Sequence, residues 1–394
     1  MGTTRIVIVG AGTAGLSILN NLHRKRKDLE ITLIEPSSQH YYQPLWTLVG
    51  GGIFPLSKSV RPLKKFLPKA VHWIQDSAEE FLPEKNQLKL SSGDIVDYDF
   101  MVVAPGIQID WSKIEGLEQT LGQNGVCSNY SKETVEYTWQ CMNQLKEGRA
   151  LFTFPSTPIK CAGAPQKVMY LAEESFRKSG VRNQVTVRFV SAAGAIFGVQ
   201  KYRDSLEKII KKKNIETCFQ QDLVKVDGPS QIATFKNMQT GELVEEKFDM
   251  IHVTPPMSAP DFIKRSPLAN EAGWVDVDKF TTQHNKYPNI FSAGDASSLP
   301  NSKTGAAVRR QGPVLVENLL AMIDGQKGQG RYNGYASCPL VTSRSSCILA
   351  EFDYDGQPDE TFPFDQAKER YSMYLLKKFF IPFMYWNAMM RGYF

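Results

Sequence analysis

Gly10, Gly12 and Gly15 fall in the run Ile6-Val-Ile-Val-Gly10-Ala-Gly12-Thr13-Ala14-Gly15, and that spacing suits the binding of phosphates. The first glycine permits a tight turn after a strand. The second lets the backbone approach a pyrophosphate, and the third lets the following helix pack on the strand. The helix start adds free N–H groups and the positive end of its dipole. Glu35 closes a second apolar run, Ile31-Thr-Leu-Ile-Glu35, where a carboxylate can accept from a ribose hydroxyl. Gly10, Gly12, Thr13, Ala14, Gly15 and Glu35 are therefore candidate nucleotide-binding residues.

A second chemistry resides in two of the six cysteines, which stand at 127, 141, 161, 218, 338 and 347. They form no C-x-x-C and no zinc-ligand spacing, and the five histidines form no H-E-x-x-H, so no metal site is expected. Cys161 lies in Lys160-Cys161-Ala-Gly-Ala-Pro165-Gln-Lys167, just before a helical stretch opening near Pro165. A helix N-terminus and two nearby lysines would stabilise a thiolate there. Cys338 precedes Pro339, which makes a rigid turn. Either thiol alone also fits a small buried hydrophobe. No cysteine occurs between residues 35 and 60, so any dithiol must be assembled by the fold from distant residues.

The elements that must position these groups alternate along the chain. Strand-like runs occur at 5–9, 31–34, 101–104, 150–154, 185–190 and 249–253, with a helix expected from Ala14 to about Arg24. The alternation predicts an α/β fold of tandem Rossmann-like dinucleotide-binding domains with parallel sheets. Asn289-Ile-Phe-Ser-Ala-Gly294-Asp295 reads as an apolar strand ending in a carboxylate that can reach the ribityl hydroxyls of a flavin. Paired with the N-terminal fingerprint, it makes FAD the expected tightly held cofactor. A second glycine loop is degraded: after Val185–Val190, Ala193 and Ala195 stand where the first two glycines should be. Their methyl groups argue against NADH at that site. The expected division is 1–112 and 256–340 for the FAD-binding domain, 113–255 for the second Rossmann-like domain, and 341–394 for a C-terminal region.

The chain has 394 residues, 42% apolar and 22% charged, with net charge +5. That size supports two cores and an appendage. The mild positive charge suits an anionic membrane surface and does not call for nucleic acid. Residues 371–394 are rich in aromatics and Met, carry three cations and no acid, and are broken by Pro382. Such a segment would lie in a membrane interface as a helix pair. No run of 18 apolar residues argues for a spanning helix. The fingerprint opens at residue 6, so no signal or transit peptide is expected within this chain.

Segments 40–50, 159–167, 194–198, 252–258, 272–278, 337–342, 349–354 and 361–366 resemble sulfide:quinone oxidoreductases, of the type that includes the mitochondrial enzymes. The resemblance implies FAD held by the fingerprint residues with Gln43, the region of Ala78, Asp295 and Lys303. It implies a Cys161–Cys338 disulfide or sulfur-bridged form at the flavin face. Sulfide would attack Cys338 to give a persulfide. Cys161 would leave as a thiolate, aided by Lys160 and Lys167, and pass two electrons through the flavin to a membrane quinone. Glutathione, sulfite or further sulfide would take the sulfane sulfur. Phe352, Phe383 and Tyr385 would line the quinone pocket, with Lys377 near the quinone. Cys127 lies near a third active cysteine of some bacterial relatives, so sulfur storage and a bystander thiol both stay open.

Two other readings compete. A type II NADH:quinone oxidoreductase shares the two domains and the tail but needs a working glycine loop near 191–198. A partner- or DNA-binding flavoprotein resembling apoptosis-inducing factor would leave the cysteine pair without purpose. The expected location is the face of a bacterial cytoplasmic membrane or a mitochondrial inner membrane, as a peripheral protein; a homo-oligomer stays open.

Overall fold

The computed structural model describes residues 3–394. The chain opens as β1 (Arg5–Val9), α1 (Thr13–Lys25), β2 (Glu30–Ile34), β3 (His72–Ile74) and β4 (Phe100–Val103). It then leaves this sheet and builds a second one from β5 (Val126–Cys127), β6 (Gly148–Phe154), β7 (Val185–Ser191), β8 (Glu216–Phe219) and β9 (Met250–His252). With β10 (Ile290–Ser292) it returns, completing the first sheet in the order β10-β4-β1-β2-β3. The second sheet runs β5-β9-β6-β7-β8. The pairs in both are parallel. The two crossing segments hydrogen-bond to each other as an antiparallel pair, Gln108 opposite Ser258 and Ile109 opposite Met257.

The apolar runs of the sequence become buried central strands because helices cover both faces of a parallel sheet. α1 is covered on nearly every side: Leu16, Ile18, Leu19 and Leu22 are fully buried. α2 (Ala164–Lys178) packs on β6 and β7, with Val168, Met169, Leu171 and Phe176 fully buried. Each such side chain contributes about 1.5–3 kcal/mol. α3 (Gly305–Ile323) lies against α1. An antiparallel hairpin, β11 (Ala336–Ser343) and β12 (Ser346–Phe352), then rests on α2.

The C-terminal segment departs from the expected broken helix pair. α4 (Tyr371–Leu375) runs through a π-helical turn, Leu376–Phe380, into α5 (Ile381–Asn387). Pro382 sits in the first turn of α5, and the wider turn before it relieves the clash a proline ring makes with the preceding turn of an α-helix. One face is built into the body: Tyr374, Tyr385, Trp386, Met389 and Met390 are buried. The other face leaves Phe379, Phe380 and Phe383 mostly exposed. Among the described residues no helix is long and apolar enough to cross a membrane.

Two histidines inside this fold are held neutral. Burial lowers His40 from 6.5 to about 4 and His252 from 6.5 to about 3. The unfolded chain binds protons at these positions below pH 6.5 while the folded chain does not, so stability is full above 6.5 and is lost as pH falls toward the folded values. Urea unfolding at pH 7 and pH 5 should show a loss of about 2 kcal/mol from each histidine. Equal midpoints at the two pH values would contradict this.

Candidate active site

The loop from β1 into α1 forms the phosphate end of the site. Gly10 has φ of +92°, and a Cβ there would lie 2.5 Å from the Ala104 carbonyl oxygen at the end of β4. A Cβ on Gly15 would collide with the Gly10 carbonyl. Gly12 differs: nothing stands within 4 Å of its Cβ position, because it faces a cavity of about 450 Å3 lined also by Thr13 and Ala14. Glu35 accepts from the Ala11 N–H at 2.7 Å and the Ser37 N–H at 2.8 Å, bracing this loop.

Gly294, Asp295 and the start of α3 form another wall of the same cavity. Thr304 caps α3, its hydroxyl accepting from the Ala307 N–H at 3.1 Å. Burial raises the Asp295 carboxyl, and the Lys303 and Lys160 ammonium groups pull it back. Burial in turn lowers both lysines to about 8 against the pull of Asp295. Lys160 donates to Gln43 Oε1 at 2.7 Å. An open glycine cradle, a half-buried carboxylate and a capped helix start around one cavity fit a flavin nucleotide, for which Gly12 would face the phosphates and Asp295 the sugar hydroxyls.

The two distant cysteines meet on this cavity. Cys161 follows β6 and takes φ of +86°, a left-handed conformation that is rare for a side chain with a Cβ and turns up at functional sites. Cys338 lies on β11, and the sulfurs are 3.6 Å apart. Gly163 makes this possible, since a Cβ there would overlap Cys338 Sγ and Leu340. Lys167, from the first turn of α2, is 3% exposed and places Nζ 3.3 Å from Cys161 Sγ and 3.8 Å from Cys338 Sγ. The Cys338 thiol, then the Lys167 charge, hold Cys161 well below its ordinary range despite burial. Cys338 is raised by the same pairing and by burial. Burial works to lower the Lys167 ammonium, but Cys161, Cys338 and Cys347 together outweigh it and raise it. The arrangement favours the thiolate on Cys161 over one on Cys338.

Lys377 also reaches this cavity, donating to the Pro44 carbonyl at 2.9 Å. Burial and the Lys167 charge lower it to about 8. Other residues named from the sequence lie elsewhere. Ala78 opens a strand of an antiparallel appendage, opposite Leu90, and does not line the cavity. Phe352 packs edge-on against Phe197, away from it. Phe383 is 64% exposed on the outer face of α5. Cys127 is fully buried on β5 and donates to the Ile251 carbonyl at 3.4 Å, so strand pairing turns it away from the thiol pair. Tyr385 does line the cavity, but its hydroxyl is engaged by His40 and Thr13.

Several cavity groups were not among the site residues expected from the sequence. Glu351 accepts from Tyr335 and from Thr361 N–H at 2.7 Å, and from Gln366 Nε2 at 2.8 Å. Asn129, Tyr130 and His252 line the thiol end with buried polar atoms that find no partner among the described residues. They sit just past β5 and on β9, at the carboxyl edge of the second sheet, a place only the topology reveals.

The chain is similar to several known proteins. The pyridine nucleotide-disulphide oxidoreductase family matches residues 4–138. The mitochondrial sulfide:quinone oxidoreductase of Mus musculus is 48% identical over 389 residues, covering 98% of this chain and 86% of the relative. The chain belongs to the sulfide:quinone oxidoreductase family. The corresponding protein of Dictyostelium discoideum is 47% identical, covering 99% of this chain and 86% of its own length. A solved sulfide:quinone oxidoreductase from Aquifex aeolicus shares the fold at TM-score 0.85 and 19% identity, covering 99% of this chain and 92% of that one. The protein is an FAD-dependent oxidoreductase.

Replacing Lys167 by Met should raise the pH midpoint for alkylation of Cys161 in the reduced protein by about one unit or more. An unchanged midpoint would show that the ammonium does not hold the thiolate. Gly163→Ala should push Cys338 away from Cys161 and lower the thermal midpoint by several degrees, roughly 1–3 kcal/mol of overpacking.

Proposed function

We propose that this chain oxidises sulfide at the Cys161–Cys338 pair and delivers the electrons to a membrane quinone. The observation that carries the reading is a buried ammonium, Lys167, set against both sulfurs beside a flavin-type cavity. In the oxidised pair, hydrosulfide attacks Cys338 Sγ, the bond between the cysteines breaks, and Cys161 leaves as a thiolate. Cys338 then carries the persulfide. The exchange is fast in proportion to how well the leaving thiolate is stabilised, and Lys167 supplies that stabilisation. Bound FAD supplies a two-electron carrier between the thiol pair and the quinone. Removal of the outer sulfur by glutathione, sulfite or a second sulfide frees Cys338. Closure of the bond to Cys161 gives up two electrons, which the quinone takes with two protons. Lys160 and Lys303, lowered to about 8, hold positive charge near Asp295 at neutral pH and offset negative charge arriving in the cavity.

The quinone is proposed to enter along the C-terminal segment, where Lys377 reaches the cavity and Ile381 and Met384 form an apolar wall. Phe379, Phe380 and Phe383, with Lys378 beside them, would rest in a lipid interface. A mitochondrial location suits the two relatives above, whose names carry the word mitochondrial, and the exposed aromatic face supports a peripheral position on a membrane there. An NADH-driven reaction is disfavoured by Ala193 and Ala195 in the second loop and leaves the thiol pair unused.

Anaerobic mixing of the holoenzyme with sulfide alone should bleach the flavin band, and NADH alone should leave it intact. The reverse pattern would make this an NADH enzyme. Cys161→Ser or Cys338→Ser should lower sulfide-dependent quinone reduction at least about a hundredfold with FAD still bound. Near-normal turnover in either variant would refute the mechanism. Phe379→Ser with Phe383→Ser should weaken binding to anionic vesicles about tenfold or more without changing the fold; unchanged binding would remove this face as the membrane contact.

A further inference from the structure

The C-terminal segment is tied to the helix that opens the phosphate loop. Asn20 Nδ2 donates to the Met390 carbonyl at 3.2 Å, and Asn21 Nδ2 to the Phe394 carbonyl at 2.9 Å. At the other end of α1, Tyr385 meets Thr13 Oγ1 at 2.9 Å and His40 Nε2 at 2.6 Å. His40 Nδ1 lies 2.9 Å from the Ala11 carbonyl. A carbonyl only accepts, so Nδ1 carries the ring hydrogen and Nε2 is bare. Tyr385 must then donate to His40, and Thr13 must donate to Tyr385. The Tyr385 ring is further fixed at 4.1 Å from Tyr42 and stacks on His40. Every hydrogen in the chain Thr13–Tyr385–His40–Ala11 thus has one direction, and both of its ends lie in the phosphate loop.

We propose that Tyr385, oriented by His40, is a positioning residue for the flavin nucleotide: a latch that makes seating of the C-terminal segment and retention of FAD a single coupled equilibrium. It rests on the assignment of FAD to this cavity. Thr13 and Ala11 flank Gly12, whose open side faces the cavity. α5 and the residues after it, through Ile381, Met384, Tyr385 and Met389, close one wall of that cavity. A loop held from the Tyr385 side presents its N–H groups to the phosphates with little left to order. By reciprocity, the bound nucleotide holds the segment down as strongly as the segment holds the nucleotide.

The test uses the full-length holoenzyme. Release of FAD on dilution is followed by the recovery of flavin fluorescence, and trypsin cleavage after Lys378 and Arg391 reports on the segment with and without FAD. Tyr385→Phe keeps the ring but loses both hydrogen bonds, and should release FAD about tenfold faster. In that variant FAD should also cease to slow the cleavage. His40→Asn keeps a donor for Ala11 but removes the Nε2 acceptor. It should act in the same direction and add nothing when combined with Tyr385→Phe, because the groups act as one chain. Asn387→Ala, on the exposed side of α5, should release FAD like the wild type. Wild-type release from Tyr385→Phe overturns the latch, as does faster release with FAD-dependent cleavage intact. If Tyr385→Phe does not fold, His40→Asn alone carries the test by the same two readouts. Wild-type protein that neither holds nor takes up FAD would instead overturn the cofactor assignment.

Discussion

The site depends on one buried charge. Lys167 lies against two sulfurs in a place where burial works against an ammonium, and the sulfurs beside it favour its charged form. A buried ion pair of this kind is costly to form and costlier to break, since removing one partner strands the other. The surrounding structure serves that pair. α2 begins where its first turn can deliver Lys167, Gly163 keeps the backbone thin enough for Cys338 to approach, and the left-handed turn at Cys161 points its sulfur back toward β11. Strain at Cys161 and a missing side chain at Gly163 are thus two parts of one constraint.

The lysines around the cavity extend the same logic outward. Lys160, Lys303 and Lys377 are each lowered to about 8, so their charge is conditional on an anion nearby. Asp295 fills that role for the first two. For Lys377 the thiol pair supports the charge while Lys167 opposes it. A change of charge at the sulfurs is therefore felt at Lys377, on the C-terminal segment, without any movement of the chain. Electrostatics alone links the sulfur end of the cavity to the wall built by α4 and α5.

What the sequence disclosed follows the range of the interactions involved. The phosphate loop was legible because its geometry is set within ten residues, by the same glycines that the structure places against Ala104 and the open cavity. The helix it opens begins at Thr13, one residue before the expected start. The meeting of Cys161 and Cys338 could not be read from spacing, since 177 positions separate them; only the resemblance joined them. For Phe352 and Phe383 the resemblance marks an aromatic position but not its direction: Phe352 turns toward Phe197 at the end of β12, and Phe383 turns outward on α5. His40 and Tyr385 had no joint signal at all, being 345 positions apart and joined through a histidine tautomer. Ala78 lies at a familiar position along the chain, but strand pairing sets it off the cavity, and for Cys127 the same kind of pairing favours the bystander of the two readings the sequence left open.

The second sheet shows how a nucleotide-binding frame can be turned to another use. At the carboxyl end of β7, where a glycine loop would hold a pyrophosphate, Ala193 and Ala195 put methyl groups instead. The carboxyl ends of β5, β6 and β9 nevertheless still converge on a cavity, as parallel sheets make them do. What they present there is Asn129, Tyr130, Cys161 and His252, a set of donors and a sulfur in place of a dinucleotide site. The frame therefore brings its strand ends to the cavity with a thiol and polar side chains where a second nucleotide cradle would otherwise stand. A fixed thiol needs no second nucleotide cradle. What stands beside it is a charged group, Lys167, which α2 provides within its first turn.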